Sequence, residues 1–375
     1  MTNLKPLNLH SSVAASGKRV TVAASPGRRR SAGTRLRTPC RSWVPRPASF
    51  VLATLLCLAL GFPALAASKQ KVLFDCDLAG DVDDAYAVAL LLTSPEFEVL
   101  GLVMDHGHTW GRARVAGRLL YELGLEEKIP IVVGRPTPGI VGQHTGIAGE
   151  SHQFIWGHGF ERWKPASTNA AAFIIQSLRQ HPNEVILFTV GPVCNLEDVM
   201  KQDPEALKLA KRVVSMFGSF TMGYGGPGTK PEPEWNVRAD VQAARALMAS
   251  GAKLELAGLD TTTMVKLGEA DRMRLLYRKS PLTDALCGLY ILWRYESYAR
   301  PDPTLFDVVP LGMVLWPELF TSRPAHVRVT DTGLTELVEG APPNCQIGVT
   351  VDKDELVKRI MDRYLRQNLM RQPEP

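Results

Sequence analysis

Residues Lys71 to Leu92 read KVLFDCDLAGDVDDAYAVALLL, and this stretch decides the fold. Val72, Leu73 and Phe74 make an apolar run with the length and composition of a buried strand. Asp75, Asp77, Asp81, Asp83 and Asp84 follow, with Gly80 among them as a turn residue. Ala85 to Leu92 is rich in helix formers and poor in polar positions, which predicts a buried helix. Strand, acidic loop and helix form the building unit of an open α/β sheet. In such sheets ligands sit at the carboxyl ends of the strands, where this loop falls.

Helix capping accounts for one or two of these acids, because Asp is a good N-cap and acidic residues in a first turn complement the helix dipole. It does not account for five beside an apolar run, since like charges at close range repel. A bound hard cation removes the repulsion, and carboxylates are its preferred ligands.

Working outward, Phe97 to Met104 predicts a second strand, Arg112 to Leu125 an amphipathic helix and Pro130 to Val133 a third strand. Gly134 to Pro165 breaks the rhythm. It is rich in Gly, His and aromatic residues, holds His144, His152, Trp156 and His158, and is read either as a lid or as a surface excursion. Alternation then resumes, with strands at Glu184 to Val190, Val213 to Phe217, Lys253 to Leu259 and His326 to Thr330. Helices are expected at Asn169 to His181, Ala239 to Ser250, Arg272 to Arg278, Leu282 to Tyr298, Val308 to Leu315 and Lys353 to Gln367. The pattern predicts an α/β fold, a mostly parallel central sheet with helices on both faces. No repeat or linker divides residues 68–375, which fit one domain.

The N-terminal 1–67 differ in kind. They hold ten Lys/Arg and no Asp or Glu, and without them the formal charge passes from +5 to −5. The basic balance therefore belongs to a leader and gives no reason to expect a nucleic-acid partner. Phe50 to Leu60 is an apolar run too short for a membrane span, followed by the small-x-small site Ala64-Leu65-Ala66. This predicts a removable signal peptide and an exported protein, periplasmic or secreted from a bacterium, with no stable membrane partner. Cys76, Cys194, Cys287 and Cys345 lie beyond it without CxxC spacing, as expected of buried thiols rather than a zinc site.

The acidic stretch resembles the inosine-uridine preferring nucleoside hydrolase family. Its variant motif DxDxGxDxDD is matched by Asp75 to Asp84, with Ala79 at the first glycine position. The resemblance implies a nucleoside hydrolase-like, Rossmann-like open sheet. It further implies calcium-dependent hydrolysis of the N-glycosidic bond of ribonucleosides to ribose and free base. In that scheme Asp77 is general base and metal ligand, Asp84 is a metal ligand, and Asp83 binds the ribose 2′-hydroxyl. A free Asp has a pKa of ~3.9, so it accepts a proton at neutral pH. Gly191-Pro192-Val193-Cys194-Asn195 is similar to the family's GPLTN turn and implies the Val190 carbonyl as a further ligand. From the residues alone it is an ordinary strand-to-helix turn with Asn195 as cap. Phe306-Asp307 to Phe320 resembles the family's C-terminal HDPLAVAYLLDPELF and makes Asp307 the last ligand. Asp284, one helix earlier, is explained as an N-cap. Glu234-Trp235-Asn236 is similar to the family's EFN triplet, whose Glu and Asn bind the 5′-hydroxyl side.

Two positions depart from the family. Phe306 stands where pyrimidine-type members carry a His that assists the leaving group, and an aromatic there can stack on a base. His108, in His106-Gly107-His108, replaces the Asn that touches the sugar. These departures keep alive a non-catalytic exported nucleoside or sugar binder. A haloacid-dehalogenase-like phosphohydrolase using Mg²⁺ at the DxD is a third reading, which the GDVDDA continuation does not suit. The implied partner is a small-molecule nucleoside, and a homo-oligomer is compatible with all three.

Overall fold

β1 (Gln70–Cys76) runs through the interior of an eight-stranded sheet, with a parallel neighbour on each side. The computed structural model describes residues 68–138, 151–297 and 299–372; the leader at 1–67 and His144 lie outside them. After β1 the chain runs α1 (Asp83–Leu92), β2 (Phe97–Met104), α2 (Thr109–Glu122), β3 (Ile131–Val133), α3 (Phe154–Gly157), α4 (Ala170–Gln180), β4 (Ile186–Thr189), α5 (Cys194–Gln202), β5 (Arg212–Met216), α6 (Trp235–Ala239), α7 (Val241–Ala249) and β6 (Leu254–Ala257). It continues through α8 (Leu259–Thr262), α9 (Glu269–Arg278), α10 (Pro281–Glu296), α11 (Val308–Leu315), β7 (Phe320–Ala325), β8 (Val327–Val329), β9 (Thr335–Leu337), β10 (Cys345–Val351) and α12 (Lys353–Arg366).

The strand order is β3-β2-β1-β4-β5-β6-β10-β7. All pairs are parallel up to β10, and β7 closes the edge antiparallel. The chain builds outward from β1 in one direction through β2 and β3, then returns to start β4 on its other side. The crevice between β1 and β4 is therefore the switch point, where open sheets bind ligands.

Successive residues of a strand face opposite sides, and β1 shows the consequence. Val72, Phe74 and Cys76 enter one core, shared with α1, α2, α10, α11 and α12, while Leu73 enters a second core with α4, α5 and α7. Phe74 and Phe97 both lean on Phe188 of β4, at 6.1 and 5.8 Å between ring centroids. Each such wholly buried side chain contributes about 1.5–3 kcal/mol relative to exposure. The α1 helix is buried along nearly its whole length, as its composition predicts.

The layered α/β architecture agrees with the sequence reading, with two local differences. The strand at His326 to Thr330 is β8, which pairs with β9 in a separate two-stranded ribbon. The main sheet instead gains β10 and β7, which the reading did not include. β7 is an edge strand, FTSRPA, with only Ala325 buried, so it carries no apolar signal. The cysteines Cys76, Cys194, Cys287 and Cys345 are unpaired thiols. Among the described residues, no helix is long and apolar enough to cross a membrane.

Candidate active site

The acidic loop leaves β1 at Cys76 and enters α1 at Asp83. Gly80 donates its N–H to the Asp77 carbonyl at 3.0 Å, closing a turn. Ala79 takes φ +72°, a left-handed conformation costing an L residue about 1–2 kcal/mol, at the place where the family motif has glycine. Val82 is the N-cap of α1 and caps with no side chain, and Asp81 accepts the Val82 N–H at 2.6 Å. Asp77, Asp83 and Asp84 thus accept no capping bond.

Asp83 and Asp84 instead meet Asp307, the N-cap of α11, which arrives from the other end of the chain. Each of the three offers an oxygen within 4.8 Å of the others, and all three are buried. Burial raises each carboxyl well above the usual carboxylate range, and neighbouring acids raise them further: Asp81 and Asp77 for Asp83, Asp77 and Asp83 for Asp84, Asp83 and Asp84 for Asp307. Arg112 offsets this in part at Asp84. Among the described residues no Lys or Arg pairs with the three, and Asp84 Oδ1 is buried with no partner. A cluster of like charges with an unused oxygen suits a hard cation, so the donor set fits the metal that the family implies.

Asp77 stands beside this trio on the same cavity. Its carboxylate lies between two glycines. A Cβ on Gly80 would sit 3.0 Å from Asp77 Oδ2, and one on Gly191 would sit 3.1 Å from Asp77 Oδ1. Behind it, the Arg112 guanidinium approaches Asp77 Oδ2 at 3.6 Å.

Asp75, first of the motif, does not reach the cavity. It is wholly buried and accepts from Asn195 Nδ2 at 2.7 Å and Thr189 Oγ1 at 3.2 Å, tying the end of β1 to β4 and α5. Burial raises its pKa to about 7. Asn195 therefore does not cap: its amide also donates to the Met104 carbonyl, and Val193 holds the N-cap position.

The cavity, about 480 Å³, has the size of a small-molecule site. It is lined by Asp77, Asp81, Asp83, Asp84 and Asp307, by Val190 at the end of β4, and by Glu234, Asn236 and Phe306. Glu234 is the N-cap of α6 and accepts from the N–H groups of Asn236, Val237 and Gly218 at 2.9, 3.3 and 3.2 Å. Burial nevertheless raises its carboxyl to about 7. Asn236 donates to the Val190 carbonyl at 2.8 Å and to the Met216 carbonyl at 3.2 Å, which fixes its amide and leaves its side-chain oxygen as an acceptor. Phe306 packs edge-on to Tyr224, at 5.9 Å, and Trp293 and Arg300 complete that side.

The fold thus brings Asp77, Asp83, Asp84, Val190, Glu234, Asn236, Phe306 and Asp307 to one cavity. It does not bring His108 there. His108 is the N-cap of α2, exposed, with its ring edge-on to Phe154 at 5.6 Å. The buried histidine of that loop is His106, whose Nδ1 meets Thr137 Oγ1 at 2.9 Å. His152 lies against Tyr295, and neither His152 nor His158 lines the cavity. Asp284 is also elsewhere. Ser280 and Thr283 form the capping box of α10, so Asp284 is not its N-cap. The sequence assigns no role to Arg112, Gln153 or Tyr224 and presents Gly191 only as part of the family turn. The signal available for Gly191 was its place between the β4 apolar run and a proline.

The profile of the family described as "Inosine-uridine preferring nucleoside hydrolase" matches residues 72–358. A probable uridine nucleosidase 2 of Oryza sativa subsp. japonica is 27% identical over 282 residues, covering 71% of this chain and 80% of that protein. The pyrimidine-specific ribonucleoside hydrolase RihB of Escherichia coli (strain K12 / DH10B) is 27% identical over 301 residues, covering 76% and 94%. The solved plant nucleoside hydrolase PpNRh1 superposes with a TM-score of 0.69 at 25% identity, covering 80% of this chain and 99% of that one. The profile spans the acidic loop, the EWN triplet and Asp307 alike, so the chain belongs to the inosine-uridine preferring nucleoside hydrolase family and is an N-ribosyl hydrolase of nucleosides.

Proposed function

We propose that the protein hydrolyses ribonucleosides to ribose and free base with the help of one Ca²⁺ ion, and that Asp77 takes the proton from the attacking water. The observation that carries this reading is the trio Asp83, Asp84 and Asp307, buried together with no cationic side chain among the described residues paired to it. Asp77, Asp84, Asp307 and the Val190 carbonyl would hold the ion, with Asp83 close enough to share it. When bound, such an ion acidifies water and grips substrate oxygens.

The remaining work falls to the chain's own groups. Asp77 faces the cavity in the gap kept open by Gly80 and Gly191, and its carboxylate accepts the water proton. Asp83 accepts from the ribose 2′-hydroxyl. Asn236, its NH₂ already committed to two carbonyls, offers its oxygen to the 5′-hydroxyl side. Glu234, with a pKa near the middle of the neutral range at about 7, either accepts from or donates to the same hydroxyl. Phe306, Tyr224 and Trp293 present aromatic surface to the base. The leader adds a proposal about place: export to a periplasm or beyond, checked by N-terminal sequencing of protein recovered outside the cytoplasm.

The test is reducing-sugar release from a nucleoside panel headed by uridine, with and without a chelator, on the parent and an Asp77→Asn variant. Release that chelation and the substitution both abolish supports the reading. Tight nucleoside binding by the parent without release would show a binder instead, a reading that His108, outside the cavity, and Phe306, in place of a proton donor, would then explain.

A further inference from the structure

Four of the six main-chain carbonyls of the acidic loop, residues 77–82, accept from two side chains. Arg112 of α2, only 2% exposed, donates from Nη1 to the carbonyls of Asp77 and Leu78, the latter at 2.9 Å, and from Nε to the His106 carbonyl at 2.7 Å. Gln153, wholly buried at the start of α3, donates from Nε2 to the carbonyls of Gly80 and Asp81, both at 3.1 Å. Between them they bond the carbonyls of residues 77, 78, 80 and 81. Phe154 joins the two, its ring centroid 5.9 Å from the Arg112 guanidinium carbon.

We propose that Arg112 and Gln153 are positioning residues that hold the acidic loop in the shape that aims Asp77, Asp83 and Asp84 into the cavity. The inference rests on the cation and proton-acceptor roles proposed above. Three observations support it. Within the loop the bonds of its own are the Gly80 N–H to the Asp77 carbonyl and the Val82 N–H to the Asp81 carboxylate, while the carbonyls of Leu78, Gly80 and Asp81 are bonded from outside it. Ala79 sits in the left-handed region, a conformation that persists only where surroundings over-determine it. Among the described residues, Gln153 leaves its own Oε1 buried and unpartnered. An apolar side chain would fill that space without the penalty, so the two donated bonds are what the amide supplies. Arg112 does more than Gln153, because its Nη2 also reaches the Asp77 carboxylate, at 3.6 Å.

Two variants test this: Arg112→Lys keeps the charge and loses the planar fork, and Gln153→Met keeps the length and loses the donor. Near-UV circular dichroism checks the fold, terbium luminescence with Ca²⁺ competition gives cation affinity, and kcat and KM are measured on the best nucleoside of the panel. Both variants should keep the parent spectrum and bind terbium about tenfold more weakly or worse, the effect of removing an outer-shell partner. At saturating Ca²⁺, Arg112→Lys should lower kcat about tenfold or more while KM stays within about threefold. A merely structural role would not divide kcat from KM in this way. If Arg112→Lys does not fold, Gln153→Met decides through cation affinity. Two variants with parental cation affinity and parental kcat would overturn the proposal. A parent that binds neither terbium nor calcium would sink the cation reading alone, and the positioning role would then stand or fall on kcat.

Discussion

Asp307 donates its backbone N–H to Oδ2 of Asp83 at 3.2 Å, across 224 residues of sequence. Two carboxylates that ought to repel are held side by side by a bond from the main chain of one to the side chain of the other. The acidic trio, the cation site proposed above, is therefore assembled by tertiary packing of α11 against α1 and not by the acidic loop alone.

Without a metal, the stability of the protein should depend on pH. A carboxyl whose pKa is higher in the fold than in the unfolded chain stabilises fully below the unfolded value and loses that contribution as pH rises through the folded one. Asp83, Asp84 and Asp307 are all raised, and for Glu234 the window runs from 4.5 to about 7. In chelator the melting temperature should fall as pH rises across that window and beyond, by about 4 °C or more. Saturating Ca²⁺ should flatten or reverse the slope, because the ion takes the ionised carboxylates. Chelated protein that is most stable at alkaline pH would contradict this.

Asp307→Asn should weaken Ca²⁺ binding by about 100-fold or more, beyond the loss seen for outer-shell partners. The same change should raise the melting temperature of the chelated protein, since it removes one of three crowded acids. Calorimetric titration and thermal melts read the two effects separately. An Asp307→Asn protein that is weaker in chelator, with calcium affinity intact, would remove Asp307 from the site.

For Asp77→Asn the loss should fall on the chemical step. Its kcat should drop about 10²–10⁴-fold, the range for a positioned proton acceptor. Nucleoside binding, followed by fluorescence or calorimetry, should persist. A variant that retains a tenth of parental kcat would assign the proton to another group.

Glu234→Gln tests a dual role. Its carboxylate accepts three backbone N–H groups, and an amide would turn a donor toward one of them. The cost should be about 1–3 kcal/mol in denaturant unfolding, with a rise in nucleoside KM. Unchanged stability would mean that the backbone finds other acceptors.

Phe306→His asks whether the missing proton donor can be restored. The side chain lines the cavity, and His titrates near ~6.5. The variant should hydrolyse uridine faster below neutral pH, adding a limb to the kcat profile that the parent lacks. A profile superimposable on that of the parent would show that position 306 does not reach the departing base.

Much of this was legible in the chain. The apolar run before the acids and the strand–helix alternation gave β1, α1 and the parallel sheet, because buried strands are written in consecutive side chains. The crowding of acids marked the site for the same reason that it is unstable without a partner. Asp307 came only through resemblance, since a single Asp before an apolar helix has the look of a cap. Arg112 and Gln153 left no trace, because they act by donating to backbone carbonyls, and a carbonyl has no letter in the sequence. Arg112 reads as the polar side of an amphipathic helix, and Gln153 falls in the aperiodic stretch. β10, CQIGVTV, does carry a two-residue alternation, with Cys345 and Ile347 inward and Gln346 outward. β7 carries none, since an edge strand faces water.

The meeting of Asp83 with Asp307 also makes the acidic trio depend on a residue translated late in the chain. A ribosome-bound chain halted before Asp307 carries the complete acidic loop and β1 with both its parallel neighbours, yet only two of the three clustered acids. On the calcium role proposed above, a message cut short of Asp307 would yield a chain lacking one of the ion's ligands rather than a half-competent enzyme.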